Sequence, residues 1–162
     1  MNVLVDIQNA TAESVPDEGD IRSWITAAVT AARPDGEAPC EISVRLVDDA
    51  EMVELNGRYR DKPQPTNVLS FPCEVPDELD LPLLGDIVIC APVVRRDAEQ
   101  QGKTLSAHWA HMAVHGTLHL LGYDHVADDD AQQMESLESN VLANMGLPCP
   151  YNHLPVNEPA QQ

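Results

Sequence analysis

The stretch HGTLHLLGYDH, residues 115–125, carries three histidines at the spacing H-x3-H-x5-H. His115 and His119 are four residues apart. On a helix this puts their Cβ atoms about 5–6 Å from each other on one face. Two imidazoles at that separation can chelate one ion. Gly122 suits the left-handed backbone that ends a helix, so the chain can turn back and bring in His125 as a third ligand. Three nitrogen ligands leave a fourth tetrahedral position open, which marks a catalytic zinc site more than a structural one.

The longer pattern, H-x-x-x-H-x-x-G-x-x-H, matches a zinc-protease signature with one omission. A protease carries glutamate directly after the first histidine, as general base on the water of the metal. This chain has Gly116 there. Glycine inside a helix costs about 1 kcal/mol relative to alanine. Close helix packing would account for it, and so would room for a bulky substrate over the metal. Without the glutamate, zinc still lowers the pKa of its water to about 7. The remaining need is to stabilise charge that develops on the substrate. For a phosphodiester the suited group is an arginine, whose planar fork matches phosphate oxygens. Arg58, Arg60 and Lys62 cluster ahead of a strand, and composition does not choose between the two arginines.

Two further histidines precede the triad. At 100° per residue, His108, His111, His115 and His119 share roughly 80° of helix surface. His111, one turn before His115, is a candidate to orient a ligand or touch substrate. Packing, or a ring facing solvent, is the plain alternative for both His108 and His111. Asp124 is a candidate to orient a ligand or accept a proton, against the plain role of a turn residue.

Positioning these residues requires a frame. Residues 2–7 and 41–47 alternate apolar and polar side chains and read as strands. Asp20 is a candidate N-cap for the apolar stripe from Ile21 to Ala32, a helix with one buried face. Asp48 or Asp49 starts a short helix to about residue 57. NVLSF reads as a strand ended by Pro72, and LLGDIVIC, residues 83–90, as a buried one. Pro92 suits the first turn of a helix running to Gly102. The histidine helix begins near Thr104 and stops at Gly122. A last helix spans about 128–145, with Met134, Leu137, Val141 and Met145 facing inward. The order is β-α-β-α-β-β-α-α-α. The expected fold is α+β, a four-stranded mixed sheet with about five helices and the metal site on a central, zincin-like helix. The two strands joined without a helix cannot be a parallel crossover pair.

The 162 residues read as one domain over 1–150, with a loose tail at 151–162. No apolar run is long enough to span a membrane. The N-terminus lacks the basic and apolar regions of a signal peptide. Four scattered cysteines form no C-x-x-C pair, which argues against a thiolate zinc site and against a disulfide framework, and fits the cytoplasm. The net charge is −18. By itself this opposes nucleic-acid binding, which uses basic surfaces. Any phosphate-binding surface must come from Arg58, Arg60 and Lys62, or from Arg95, Arg96 and Lys103.

HWAHMAVHGTLHLLGYDH (108–125), YRDKPQPTNVLSFP (59–72) and LLGDIVIC (83–90) together resemble the bacterial YbeY endoribonucleases, from about residue 3 to residue 151. The resemblance implies a zinc-dependent, single-strand-specific endoribonuclease acting in 16S rRNA 3′-end maturation and ribosome quality control. It implies one zinc on His115, His119 and His125, with ribosomal RNA and the small ribosomal subunit as partners. It also makes Arg60, the arginine after tyrosine ahead of TNVLSFP, the functionally important one. The DKPQP segment departs from the usual family pattern, with fewer lysines. Two other classes stay in view. One is a zincin-type protease or hydrolase that finds its base elsewhere, at Glu99, Glu135 or Asp124. The other is a non-catalytic, zinc-stabilised ribosome assembly factor.

Overall fold

The computed structural model describes residues 3–32, 40–61, 64–72, 83–123 and 128–147. Its elements follow the expected order: β1 (Val3–Asn9), α1 (Glu18–Ala32), β2 (Cys40–Val47), α2 (Asp49–Arg60), β3 (Val68–Pro72), β4 (Leu83–Cys90), α3 (Ala91–Gln101), α4 (Leu105–Leu120) and α5 (Asp128–Asn144). The sheet order is β1-β2-β4-β3. β1, β2 and β4 run parallel, and β3 is antiparallel to β4, with Val68 opposite Ile89 and Pro72 opposite Gly85. The pair joined without a helix is therefore antiparallel, as its short connection requires. β3 becomes an edge strand. That is where a proline can close a strand without breaking a ladder, and Pro72 is its last residue rather than the residue beyond it.

The pleat sorts the side chains into two layers. Ile42, Val44 and Leu46 of β2 and Ile87 and Ile89 of β4 face α1 and α4 in the main core. Val47, Leu69, Val88 and Cys90 point the other way and pack with Met52 of α2 in a smaller cluster. α4 touches α1, α3, α5, β3 and β4. Twelve of its sixteen residues are buried, so it is apolar nearly all round, the pattern of a core helix.

Both ends of α4 are fixed by hydrogen bonds. The Thr104 side chain accepts from the Ala107 amide at 3.1 Å. At the other end, the Gly122 amide donates to the His119 carbonyl and the Tyr123 amide to the Leu118 carbonyl, both at 3.1 Å. These crossed bonds form a Schellman motif, with Gly122 at φ 102° in its left-handed position. One expectation about a helix start is corrected, and one inner face proves wider than expected. α1 opens on the Asp17 carbonyl, which accepts from Asp20 and Ile21, so Asp20 lies in the first turn and not at the cap. On α5 the buried residues are Met134, Glu138, Val141 and Leu142, while Leu137 and Met145 pack at the margin. The inner face is turned toward a carboxylate that an apolar stripe alone did not include.

Two glycines set how closely the sheet and α4 approach. At Gly85 a Cβ would fall 2.3 Å from the Phe71 carbonyl oxygen, and φ is +148°. At Gly116 a Cβ would fall 3.0 Å from Ile87 Cγ2 and 3.2 Å from Val68 Cγ2. The Ser70 hydroxyl also donates to the Gly116 carbonyl at 2.9 Å. Close packing therefore accounts for Gly116, which faces the sheet and not a substrate space. Restoring the protease residue by Gly116→Glu forces a charged side chain into this contact. We expect it to cost more than about 3 kcal/mol in chemical denaturation and to create no peptidase activity.

Candidate metal centre

The four histidines of α4 lie at different depths. His108 and His111 are buried, while His115 and His119, one turn and two turns further on, are partly exposed. The His115 and His119 rings stand 5.2 Å apart between centroids. Both line one wall of a cleft of about 610 Å³. The opposite wall is Tyr59 from the last turn of α2 and the segment 66–71, which contains the edge strand β3. The close α4–β3 approach at Gly116 thus brings two imidazoles to the rim of the sheet. None of the described residues lining this cleft is a carboxylate.

Behind His115 lies the residue that sequence reasoning missed. Glu138 of α5 is fully buried. Its Oε2 accepts from His115 Nδ1 at 2.8 Å and lies 3.3 Å from His111 Nε2. One donor atom from each of His111, His115 and Glu138 comes within 4.8 Å of the others, a group that could hold a metal ion. Distance and burial argue for a different use. Two ligands of a tetrahedral zinc, each at about 2.0–2.1 Å, stand roughly 3.3 Å apart. The 2.8 Å separation is hydrogen-bond length, and Glu138 has no exposure for an open coordination position. A carboxylate that accepts from Nδ1 holds the ring in one tautomer and leaves Nε2 as its ligand atom. His115 borders the cleft while its Nδ1 faces the core. The signal in the sequence was the position of Glu138, four residues after Met134 and four before Leu142 on a helix face that must be buried.

Burial alone would raise the Glu138 pKa, but the hydrogen bonds from His111 and His115 hold it well below the usual carboxylate range. The His111 pKa is lowered too, but there burial is the chief cause. Burial also pushes His108 down, to about 4, and neighbouring Lys103 acts in the same direction. Its Nε2 stands 3.6 Å from Asp97 Oδ2, beyond hydrogen-bond range. Asp97 in turn accepts from the Asn67 side-chain amide at 3.2 Å.

The remaining expected site residues are placed less fully. Arg60 is the last residue of α2, next to Tyr59 on the cleft wall; its side chain lies outside the described residues. His125 and Asp124 lie outside them as well. The second basic group is engaged internally. Arg95 binds Glu13 and Glu99, and Arg96 binds Asp49. Arg58 pairs with Glu54 at 2.9 Å. Glu99, considered as a base, faces Arg95 on α3 and does not line the cleft.

The family model described as Endoribonuclease YbeY matches residues 6–146. The chain belongs to the YbeY endoribonuclease family. Relatives named Endoribonuclease YbeY are 55% identical in Pseudomonas putida and 54% identical in Pseudomonas entomophila, each over 91% of this chain and 92% of the relative. The solution structure of a protein from Thermotoga maritima matches with a TM-score of 0.55 at 22% identity, over 88% of this chain and 92% of that one. At that identity the match speaks for the fold alone.

The lowered histidines give this YbeY protein a defined acid response. Between about pH 6.5 and 4 the unfolded chain protonates His108 and the folded chain does not. Stability is therefore full above this window and falls as pH drops through it, by about 3 kcal/mol for His108. Glu138 adds a further loss that begins as pH falls through the ordinary carboxylate range and continues below it. Denaturation midpoints measured against pH in the presence of a chelator should show this slope. His108→Leu should flatten it between pH 4 and 6.5, and an unchanged slope would remove His108 as its cause.

Proposed function

We propose that this chain is a zinc-dependent, single-strand-specific endoribonuclease that acts in 16S rRNA 3′-end maturation and ribosome quality control. The observation that carries the reading is a cleft whose described lining holds no carboxylate, flanked by two imidazoles, in a chain of net charge −18. Carboxylates on its walls would repel phosphate, and the described walls carry none. Its polar groups come from Thr66, Asn67, Ser70 and the histidines. Relatives sharing more than half of their residues with this chain bear the name endoribonuclease.

His115, His119 and His125 would hold the ion, one per chain. Two partly exposed imidazoles with paired rings, one of them braced at Nδ1, fit a nitrogen-rich zinc site. A bound zinc would supply Lewis acidity at the cleft wall. The protein's own groups do the rest. Glu138 accepts from Nδ1 and keeps His115 in the tautomer that offers Nε2. His111 Nε2 stands 3.3 Å from the same carboxylate oxygen and flanks it on the core side. Arg60, beside Tyr59 at the end of α2, neutralises charge that develops on the phosphodiester as water or the ribose 2′-hydroxyl attacks. Asp124 is a candidate proton acceptor. Among the described residues no helix is long and apolar enough to cross a membrane, and the proposed site of action is the cytoplasm, on RNA of the small ribosomal subunit.

Three variants divide these roles. Arg60→Ala should keep zinc and lose at least about 100-fold in cleavage of single-stranded RNA, in line with removing one oxyanion-stabilising donor. His115→Ala should lose both metal and cleavage; equal cleavage by this variant would return the histidines to a structural role. Glu138→Gln should weaken zinc about 10-fold or more in a chelator competition while the fold, followed by circular dichroism, is retained. Unchanged zinc affinity there would leave Glu138 as a core residue only.

A further inference from the structure

Tyr59 is one of three large apolar residues that the described structure leaves strongly exposed, at 59%. The other two, Leu4 and Leu105, do not border the histidine cleft. Tyr59 also lines a second hollow of about 370 Å³, on the opposite face of the sheet with Ser43, Arg45, Asp86 and Val88. Phe71 lines both spaces too. The Tyr59–Phe71 pair therefore forms the ridge between the cleft of His115 and His119 and this second hollow.

The geometry of the pair is specific. The ring centroids are 5.1 Å apart with the planes inclined by 63°. An edge-to-face contact holds the tyrosine ring without covering both of its faces. Phe71 is in turn fixed on β3, opposite Asp86, at the point where Gly85 allows the strands to close. A rigid aromatic ring with an open face, at the rim of a cleft whose described lining holds no carboxylate, is a device by which proteins hold unpaired bases. In this cleft it matters more than usual. Arg58, one residue before Tyr59, is tied to Glu54.

We propose that Tyr59, braced by Phe71, is a base-stacking subsite that receives one unpaired base of the RNA next to the metal cleft. The proposal rests on the endoribonuclease reading. A base inside a duplex cannot offer its face to the ring, so the subsite contributes to selection for single strands. Stacking on every base is similar before and during reaction, so its loss falls on KM and leaves kcat nearly unchanged.

The test is steady-state cleavage of a single-stranded RNA and of a set of its copies, each with one abasic nucleotide. The enzymes are the wild type, Tyr59→Phe and Tyr59→Leu, all loaded with zinc. Leucine keeps apolar contact with Phe71 but has no aromatic face. Tyr59→Leu should raise KM roughly 5- to 150-fold at little change in kcat, and Tyr59→Phe should match the wild type. One abasic position should raise KM for the wild type and not for Tyr59→Leu. Unchanged KM in Tyr59→Leu, or the same abasic profile in both enzymes, overturns the subsite while leaving the nuclease intact. Failure of the wild type to cut any of these RNAs removes the nuclease reading and the subsite with it.

Discussion

A single buried carboxylate organises this molecule. Glu138 sits in the core with two imidazoles on one oxygen, at 2.8 and 3.3 Å. An isolated charge there would be very costly, and the hydrogen bond from His115, with the His111 imidazole close beside it, is what makes it tolerable. These contacts also tie α5 to α4 across the core. The same bond fixes which nitrogen His115 turns to the cleft. Packing and chemistry thus share one interaction, and a change at Glu138 would be felt by both.

The other half of the arrangement is the seam between α4 and the edge strand. Gly116 allows the helix to lie against Ile87 and Val68, and Ser70 ties its hydroxyl to the Gly116 carbonyl. Gly85 lets the β4 backbone approach Phe71. Because β3 is the last strand of the sheet, nothing among the described elements continues the sheet beyond it, and the cleft opens there. A glycine that a protease would have replaced by its catalytic glutamate is here committed to packing. The general base is missing because the position faces the sheet.

Much of this was legible in the sequence. Element order, a β3–β4 pair that is not a parallel crossover, the start of α4 near Thr104 and the glycine turn at Gly122 follow from periodicity and local backbone chemistry. So does the pairing of His115 with His119, which needs only helical spacing. Glu138 was not legible from the apolar stripe, because a stripe counts hydrophobic residues and a buried acid is entered as polar. Its partners come from another helix, 23 residues away for His115. The use of Gly116 was open for the same reason: only the position of Ile87 and Val68 decides it. The part of the site that depends on His125 and Asp124 lies outside the described residues, and their roles remain those proposed from spacing and family.

Charge gives the last step. Five of the nine cationic residues, Arg22, Arg45, Arg58, Arg95 and Arg96, are each bound to a carboxylate within the chain. On such a surface the general attraction to phosphate that gives most RNA-binding proteins their affinity is largely cancelled. A chain of this composition would hold stray RNA poorly. For an enzyme that cuts RNA in a cell full of it, weak general binding is a form of selectivity, since discrimination depends on the difference between partners and not on affinity to each. Recognition then falls to short-range contacts at the cleft and to whatever brings the correct strand there. Beside His115 and His119, the described cleft walls carry no carboxylate, and there that exception to the surface charge is made.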